Sequence, residues 1–333
     1  MNPTDTGMPP IALLQLLEHG SLGPTVTSEL LDIMTREGVD LELLIRRGEQ
    51  IPLRWFREVY PGLDVDRATI VGLSVAGEAQ LTTFGALTLP LISAGSVADV
   101  VELLAYLPII STALHPQVQP SDGGLTIGLS GHTNDAALDS LVVAYGGYAL
   151  LRLLDMLTGP VPDLALRLNW PAPASLPPEQ IPDGRIGFGA PASYVHIPAG
   201  RLDEVCRFSD PVAYRVSVDN LGRALAARSG RASTTEQVTR LVERDPASAG
   251  IQAVALDLAL SVSTLKRRLA HEGTTFRQLQ QSVLQARATL RLLDTSLPVS
   301  EIAAELGYSD VANFSHAFKR WTGRSPREFQ ARS

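Results

Sequence analysis

The sequence predicts an α+β protein. A mixed α/β N-terminal region leads into an all-α C-terminal domain with two helix-turn-helix pairs joined by a long helix. Three observations predict this. Helical apolar spacing and short β-branched runs are interleaved until about Pro211, after which only helical spacing remains. Charge changes sign with texture: residues 1–222 hold 12 basic against 25 acidic residues, and residues 223–333 hold 16 against 10. Finally, one helix–turn–helix design occurs twice in the C-terminal third.

The chain's 333 residues suffice for two domains with real cores, and 45% hydrophobic content argues against disorder. Cys206 is the single cysteine, so neither an intrachain disulfide nor a cysteine-rich zinc site is expected. "MNPTDTGMPP" has no basic stretch and no apolar core of a signal peptide. "LDSLVVAYGGYALLRLLDML" (138–157) carries Asp139, Arg152 and Asp155 and reads as a buried helix rather than a membrane span. A cytoplasmic protein without a membrane partner is expected.

The elements follow in order. "IALLQLLEHG" (11–20) and "VTSELLDIMTREG" (26–38) have helical spacing and stop at glycine, and "DLELLIRRG" (40–48) and "PLRWFREVYPG" (52–62) read as two shorter helices. "VADVVELLAYL" (97–107) and the stretch near 135–158 are helix-like. "ISTALHPQVQP", "GLTIGLSG", "LALRLNW", "IGFGA" and "SYVHIP" are strand-like, bounded by glycine and proline. "WPAPASLPP" (170–178) reads as a surface loop. The expected division is a domain over 1–210, a linker helix and linker over 211–233 with "SGRAST" (229–234) as its loosest part, and a domain over 234–333.

In the first pair (251–273), Ala255, Leu256 and Ala259 are the expected apolar face, Leu260-Ser261-Val262 the turn, and Leu265 and Leu269 the anchors of the second helix. In the second pair (299–323), Ile302, Ala303 and Leu306 form the face. The turn runs from Gly307 to Asp310, and Phe314, Phe318 and Trp321 anchor the following helix. Gly307 suits a left-handed helix end, and Ser309 or Asp310 suits the next cap. Between the pairs, Phe276, Leu279, Val283, Ala286, Leu290 and Leu293 predict one continuous amphipathic helix. Its length of ~28 Å can hold two heads in grooves ~34 Å apart on duplex DNA.

Residues 234–330 closely resemble the DNA-binding domain of the AraC/XylS family of bacterial transcription regulators. "IAAELGYSDVANFSHAFKRWTGRSPREFQ" (302–330) matches the family signature almost position for position. More loosely, "FGALTLPLISAGSVADVVELLAYLPIIS" (84–111) and "RIGFGAPASYVHIP" (185–198) resemble the effector domain of the subgroup with an arabinose-regulator-type N-terminal domain. The resemblance implies a sequence-specific transcription factor, an activator that contacts RNA polymerase, dimerises, and answers to a small-molecule effector. It implies base readout by Ser263, Lys266 and Arg267 in the first head and by Ala312, Asn313, Ser315 and His316 in the second. Arg268, Lys319, Arg320 and Arg324 would touch phosphate. His316 and Ala312 depart from the longer polar side chains common in the family.

Other constellations are poor. The 6 histidines show no metal-ligand spacing, and the glycine-rich stretches are not phosphate loops. Ser130 and His132 in "GLSGH" form no nucleophile elbow. Cys206 reads as a small buried hydrophobe before a reactive thiol. No enzyme, cofactor or metal is expected. The rivals are a non-specific or architectural DNA binder and a ligand-processing enzyme fused to a DNA-binding domain. Few charges in the first domain can converge, which favours a partly apolar effector such as a fatty acid or aromatic acid. The effector-binding residues are not legible.

Overall fold

Regular structure begins in a two-residue strand and ends in a five-residue helix. The computed structural model describes residues 6–331 apart from 20–21, 122, 134, 177–183 and 230–231. The expected loop at 170–178 and linker at 229–234 lie partly outside the described residues. Two compact units divide the chain, Met1–Ala227 and Arg228–Ser333.

The first unit opens with β1 (Gly7–Met8), α1 (Pro10–His19), α2 (Pro24–Glu37), α3 (Leu41–Arg47), β2 (Ile51–Pro52) and α4 (Arg54–Val59). All four helices fall where apolar spacing predicts them. Next come α5 (Val65–Gly77), a 3-10 segment (Leu81–Leu87), α6 (Thr88–Ser93), α7 (Val97–Glu102) and a second 3-10 segment (Leu103–Ile109). The hairpin β3 (Leu114–Ser121) and β4 (Gly124–Gly131) precedes α8 (Ala136–Thr158), then β5 (Leu166–Arg167), β6 (Ile186–Gly187), β7 (Tyr194–Pro198), α9 (Ala199–Leu202) and α10 (Pro211–Ser229). The five-stranded sheet has the order β3-β4-β7-β5-β6, with β5 and β6 parallel and the other pairs antiparallel.

Helix α8 organises this unit. By length and composition it could cross a membrane, but 67% of its most apolar stretch is buried inside the protein. It lies between α5 and the sheet, and glycine sets both approaches. A Cβ on Gly72 of α5 would sit 2.6 Å from the Leu141 carbonyl oxygen, and one on Gly147 would sit 2.4 Å from Leu166 Cδ1. Any side chain at either place would push the layers apart. Helix α10 packs on the same core through Tyr214, Val218 and Leu221, so the first unit extends into the helix expected to leave it.

The second unit contains α11 (Thr234–Arg244), α12 (Ile251–Asp257), α13 (Val262–His271), α14 (Phe276–Leu293), α15 (Val299–Glu305), α16 (Val311–Thr322) and α17 (Pro326–Gln330). It has two small cores. Val238, Val242, Leu265, Leu269, Phe276 and Val283 form one; Ala288, Leu292, Ile302, Phe314, Phe318 and Phe329 form the other. The single apolar stripe expected on α14 is therefore corrected. Phe276, Leu279 and Val283 serve the first core, whereas Ala288 and Leu292, absent from that stripe, serve the second with Leu293. Leu290 is buried but joins neither core, and Ala286 is half-buried. A straight helix drifts against a seven-residue repeat, so a long one can turn its buried side from one neighbour to the next.

Candidate nucleic-acid interface

Each head is a short helix, a tight turn and an exposed second helix. In the first head, α12 ends with Ala259 N donating to Leu256 O at 2.9 Å and Leu260 N to Ala255 O at 2.8 Å. In the second, α15 ends with Gly307 N to Ala304 O at 3.0 Å and Tyr308 N to Ala303 O at 2.9 Å. Both turns pass through the left-handed region, Ala259 at φ 54° and Gly307 at φ 81°. The first apolar face departs from expectation. Val254 and Ala255 are buried, Leu256 is 79% exposed, and Ala259 is the exposed left-handed turn residue. Reading Ala259 as the counterpart of Gly307 would have placed it correctly. In the second head Ile302, Ala303 and Leu306 are buried as expected.

The caps of the second helices fix their direction. Ser261 Oγ accepts from Thr264 N at 3.1 Å, and Asp310 Oδ1 accepts from Asn313 N at 2.7 Å. On α13, Leu265 and Leu269 face the core while Ser263, Lys266, Arg267 and Arg268 are exposed. On α16, Phe314 and Phe318 are fully buried and Trp321 packs beside them half-buried. Ala312, Asn313, His316, Lys319 and Arg320 are exposed, as is Arg324 just beyond the helix; Ser315 is half-buried. Asn313 is not free: its amide donates to Asp310 Oδ2 at 2.6 Å and to Ser309 Oγ at 3.5 Å.

Charge pairing divides the cations of this unit into two sets. Arg244 pairs with Asp257 at 3.0 Å; Arg291 and Arg287 approach Glu305 at 2.6 and 3.6 Å, and Arg287 also donates to the Glu243 carbonyl at 3.1 Å. Lys266, Arg267, Arg268, Lys319, Arg320 and Arg324 make no ion pair among the described residues. Arg277 at the start of α14 and Arg327 in α17 are also exposed and make none. They were not among the expected contacts. Their position two residues past a cap, in "TFRQ" and "SPRE", was the available signal. Exposed unpaired cations cost little in water and gain counterion release on a polyanion.

Comparison with known proteins agrees with this geometry. The family model for a helix-turn-helix domain matches residues 254–332. The HTH-type transcriptional regulator VqsM of Pseudomonas aeruginosa is 25% identical over 275 residues, covering 78% of this chain and 83% of that one. These matches support an AraC/XylS family regulator. Its C-terminal unit is that of an AraC-type DNA-binding transcriptional regulator. The HTH-type regulator Rv1395 of Mycobacterium tuberculosis is 32% identical over 155 residues, 46% of this regulator and 45% of that protein. The crystal structure of the regulator CdpR from Pseudomonas aeruginosa is 24% identical and aligns over 86% of this chain and 95% of that chain, with a TM-score of 0.41.

Elsewhere in the regulator, His115 and His132 stack face to face at 4.8 Å between ring centroids, an arrangement that does not converge nitrogens on a shared metal. Cys206 is buried, and burial, with Asp99 and Glu204 nearby, pushes its thiol pKa up to about 11. A thiol so far from ionisation is a poor nucleophile.

Proposed function

We propose that this AraC/XylS regulator is a cytoplasmic, sequence-specific activator. Its two heads read neighbouring major-groove segments of a promoter, and its N-terminal unit binds a small effector and dimerises. The observation that carries the DNA-reading part is the exposed, unpaired basic face on both second helices, opposite the buried Leu265, Leu269, Phe314 and Phe318. Helix α14, 18 residues long, spans ~27 Å, which suits heads one duplex turn apart.

Arg267 and Lys266 read guanine edges in the first head, with Ser263 beside them. In the second, Ala312 meets a thymine methyl, while Ser315 and His316 supply short polar contacts. Asn313 reads adenine only after exchanging its bond to Asp310. Arg268, Lys319, Arg320 and Arg324 hold phosphates and set register without specifying sequence. Bound effector shifts the population between conformations of different DNA affinity, and the activating contact is with RNA polymerase.

The test is a mobility-shift titration of the full chain on DNA upstream of its own and neighbouring genes, with random duplex as competitor. Specific binding at least a hundredfold tighter than random is expected. Equal competition, with affinity following salt alone, would establish the non-specific reading instead.

A further inference from the structure

The first unit encloses a cavity of about 110 Å³ among α5, α8 and the two 3-10 segments. Its wall is apolar, with Val71, Val75, Phe84, Leu104 and Leu107 prominent, and holds no Lys, Arg, His, Asp or Glu. Three lining side chains carry a polar atom: Thr83, Ser111 and Tyr145. Two are satisfied by the protein. Thr83 Oγ1 donates to Gln15 at 2.5 Å and accepts from Gln80 N at 2.9 Å, while Ser111 Oγ donates to Gly7 O at 2.9 Å.

Tyr145 differs. Among the described residues its hydroxyl makes no hydrogen bond. Burial alone holds its pKa well above that of an ordinary tyrosine, with no charge or hydrogen bond contributing. Yet the residue keeps accessible surface. Its hydroxyl is not among the fully buried polar atoms, and the residue lines both the cavity and a neighbouring annex. A donor with room beside it and no protein partner can serve a ligand's acceptor. A small annex lined by Gln15, Glu78, Thr83 and Tyr145 continues from the same end and reaches exposed Glu78.

We propose that this cavity binds a small neutral, mostly apolar molecule with one hydrogen-bond acceptor, a ketone-like oxygen taking the Tyr145 hydroxyl. The inference rests on the effector-binding reading of the N-terminal unit and gives that effector a chemical class. Size sets one half of the argument: an engineered apolar cavity of ~150 Å³ in another protein admits benzene, so this smaller one sets an upper limit of about six carbons. Charge sets the other half. A carboxylate here would lose its hydration and meet no cation among the lining residues, and Glu78 in the annex would repel it. The acid headgroups that the sequence favoured have no counter-charge at this site.

The test is calorimetric titration of the full chain at pH 8 with cyclohexanone, cyclohexanecarboxylate and cyclohexane. One site per chain is expected for cyclohexanone, at least tenfold tighter than for the carboxylate. Tyr145→Phe should weaken cyclohexanone about tenfold and leave cyclohexane within twofold. Val75→Phe, which fills the cavity, should abolish both, and melting curves of both variants check that the fold survives. Carboxylate binding as tight as ketone, an unchanged ketone affinity in Tyr145→Phe, or no binding of either neutral compound would overturn the proposal. DNA affinity measured on the same samples separates the two readings. Ketone binding lost with DNA binding intact sinks this site alone, whereas absent DNA specificity with ketone binding intact sinks the regulator reading alone.

Discussion

The two heads of the DNA-binding unit share one plan and differ in what holds it. The first has a core that is aliphatic but for Phe276, built around Leu265 and Leu269, and an alanine in the left-handed turn. The second has an aromatic core, with Phe318 and Phe329 edge to face at 5.3 Å, and a glycine in that turn. Its turn, Leu306–Asp310, is one residue longer than Leu258–Ser261. The exposed faces differ too. Lys266, Arg267 and Arg268 crowd the first, while the second presents Ala312, a tethered Asn313 and His316 before its cations begin at Lys319. On the proposed reading, the first head presents its cations at the base-reading positions and the second places them beyond those positions. Two copies of a motif in one chain need not contribute alike.

Four substitutions test that division, in falling order of effect. Phe318→Ala removes the centre of the aromatic core and should cost ~3–5 kcal/mol. Hydrogen exchange should show α16 amides opening while α13 stays protected, and protected α16 amides would mean that the core lies elsewhere. Gly307→Ala should cost ~2–4 kcal/mol, because the turn is left-handed and the new Cβ would lie 2.8 Å from Ala247 Cα. Denaturant titration of the full chain would read it as an earlier loss of the second unit. Arg267→Ala should weaken specific DNA binding by ~1–3 kcal/mol and relax preference at one base pair, without loss of stability. Selection of bound sequences would reveal the change, and an unaltered preference would remove Arg267 from the readers. Ala259→Gly should act in the opposite direction, stabilising the first head by ~0.5–1 kcal/mol as left-handed strain is relieved. A neutral or destabilising result would show that the alanine methyl is held by contacts that offset the strain.

The C-terminal unit was legible because its order is local. Caps, i to i+4 apolar spacing and the Gly307 turn each declare themselves within a few residues, and Phe314, Phe318 and Leu269 are buried where periodicity puts them. Legibility failed where the first head replaced a glycine by Ala259, which hid the turn and displaced the expected apolar face onto exposed Leu256. In the N-terminal unit the failure has another cause. Helix α5 mixes β-branched residues with Gly72 and Gly77, weak helix formers, and is held chiefly by its close approach to α8. Strands β5 and β6 fall inside runs that read as strand-like, but they are two residues each and pair in parallel with partners about 20 residues apart in sequence, so their pairing has no local signal. The cavity belongs to no single segment, and Tyr145 carries no local signal that its hydroxyl faces a void.

Helix α14 gives the unit a property that neither head has alone. Phe276, Leu279 and Val283 face one core and Ala288 and Leu292 the other, so its length counts as an angle as well as a distance. One residue inserted between Val283 and Ala288 would swing the second core about 100° around the axis and leave both heads folded but out of phase. Seven would nearly restore the phase and carry the second head about 10 Å further, close to three base-pair steps. On the proposed DNA-reading function, the spacing of the two segments read in a target would be set by the residue count of a single helix, and it could change only in jumps.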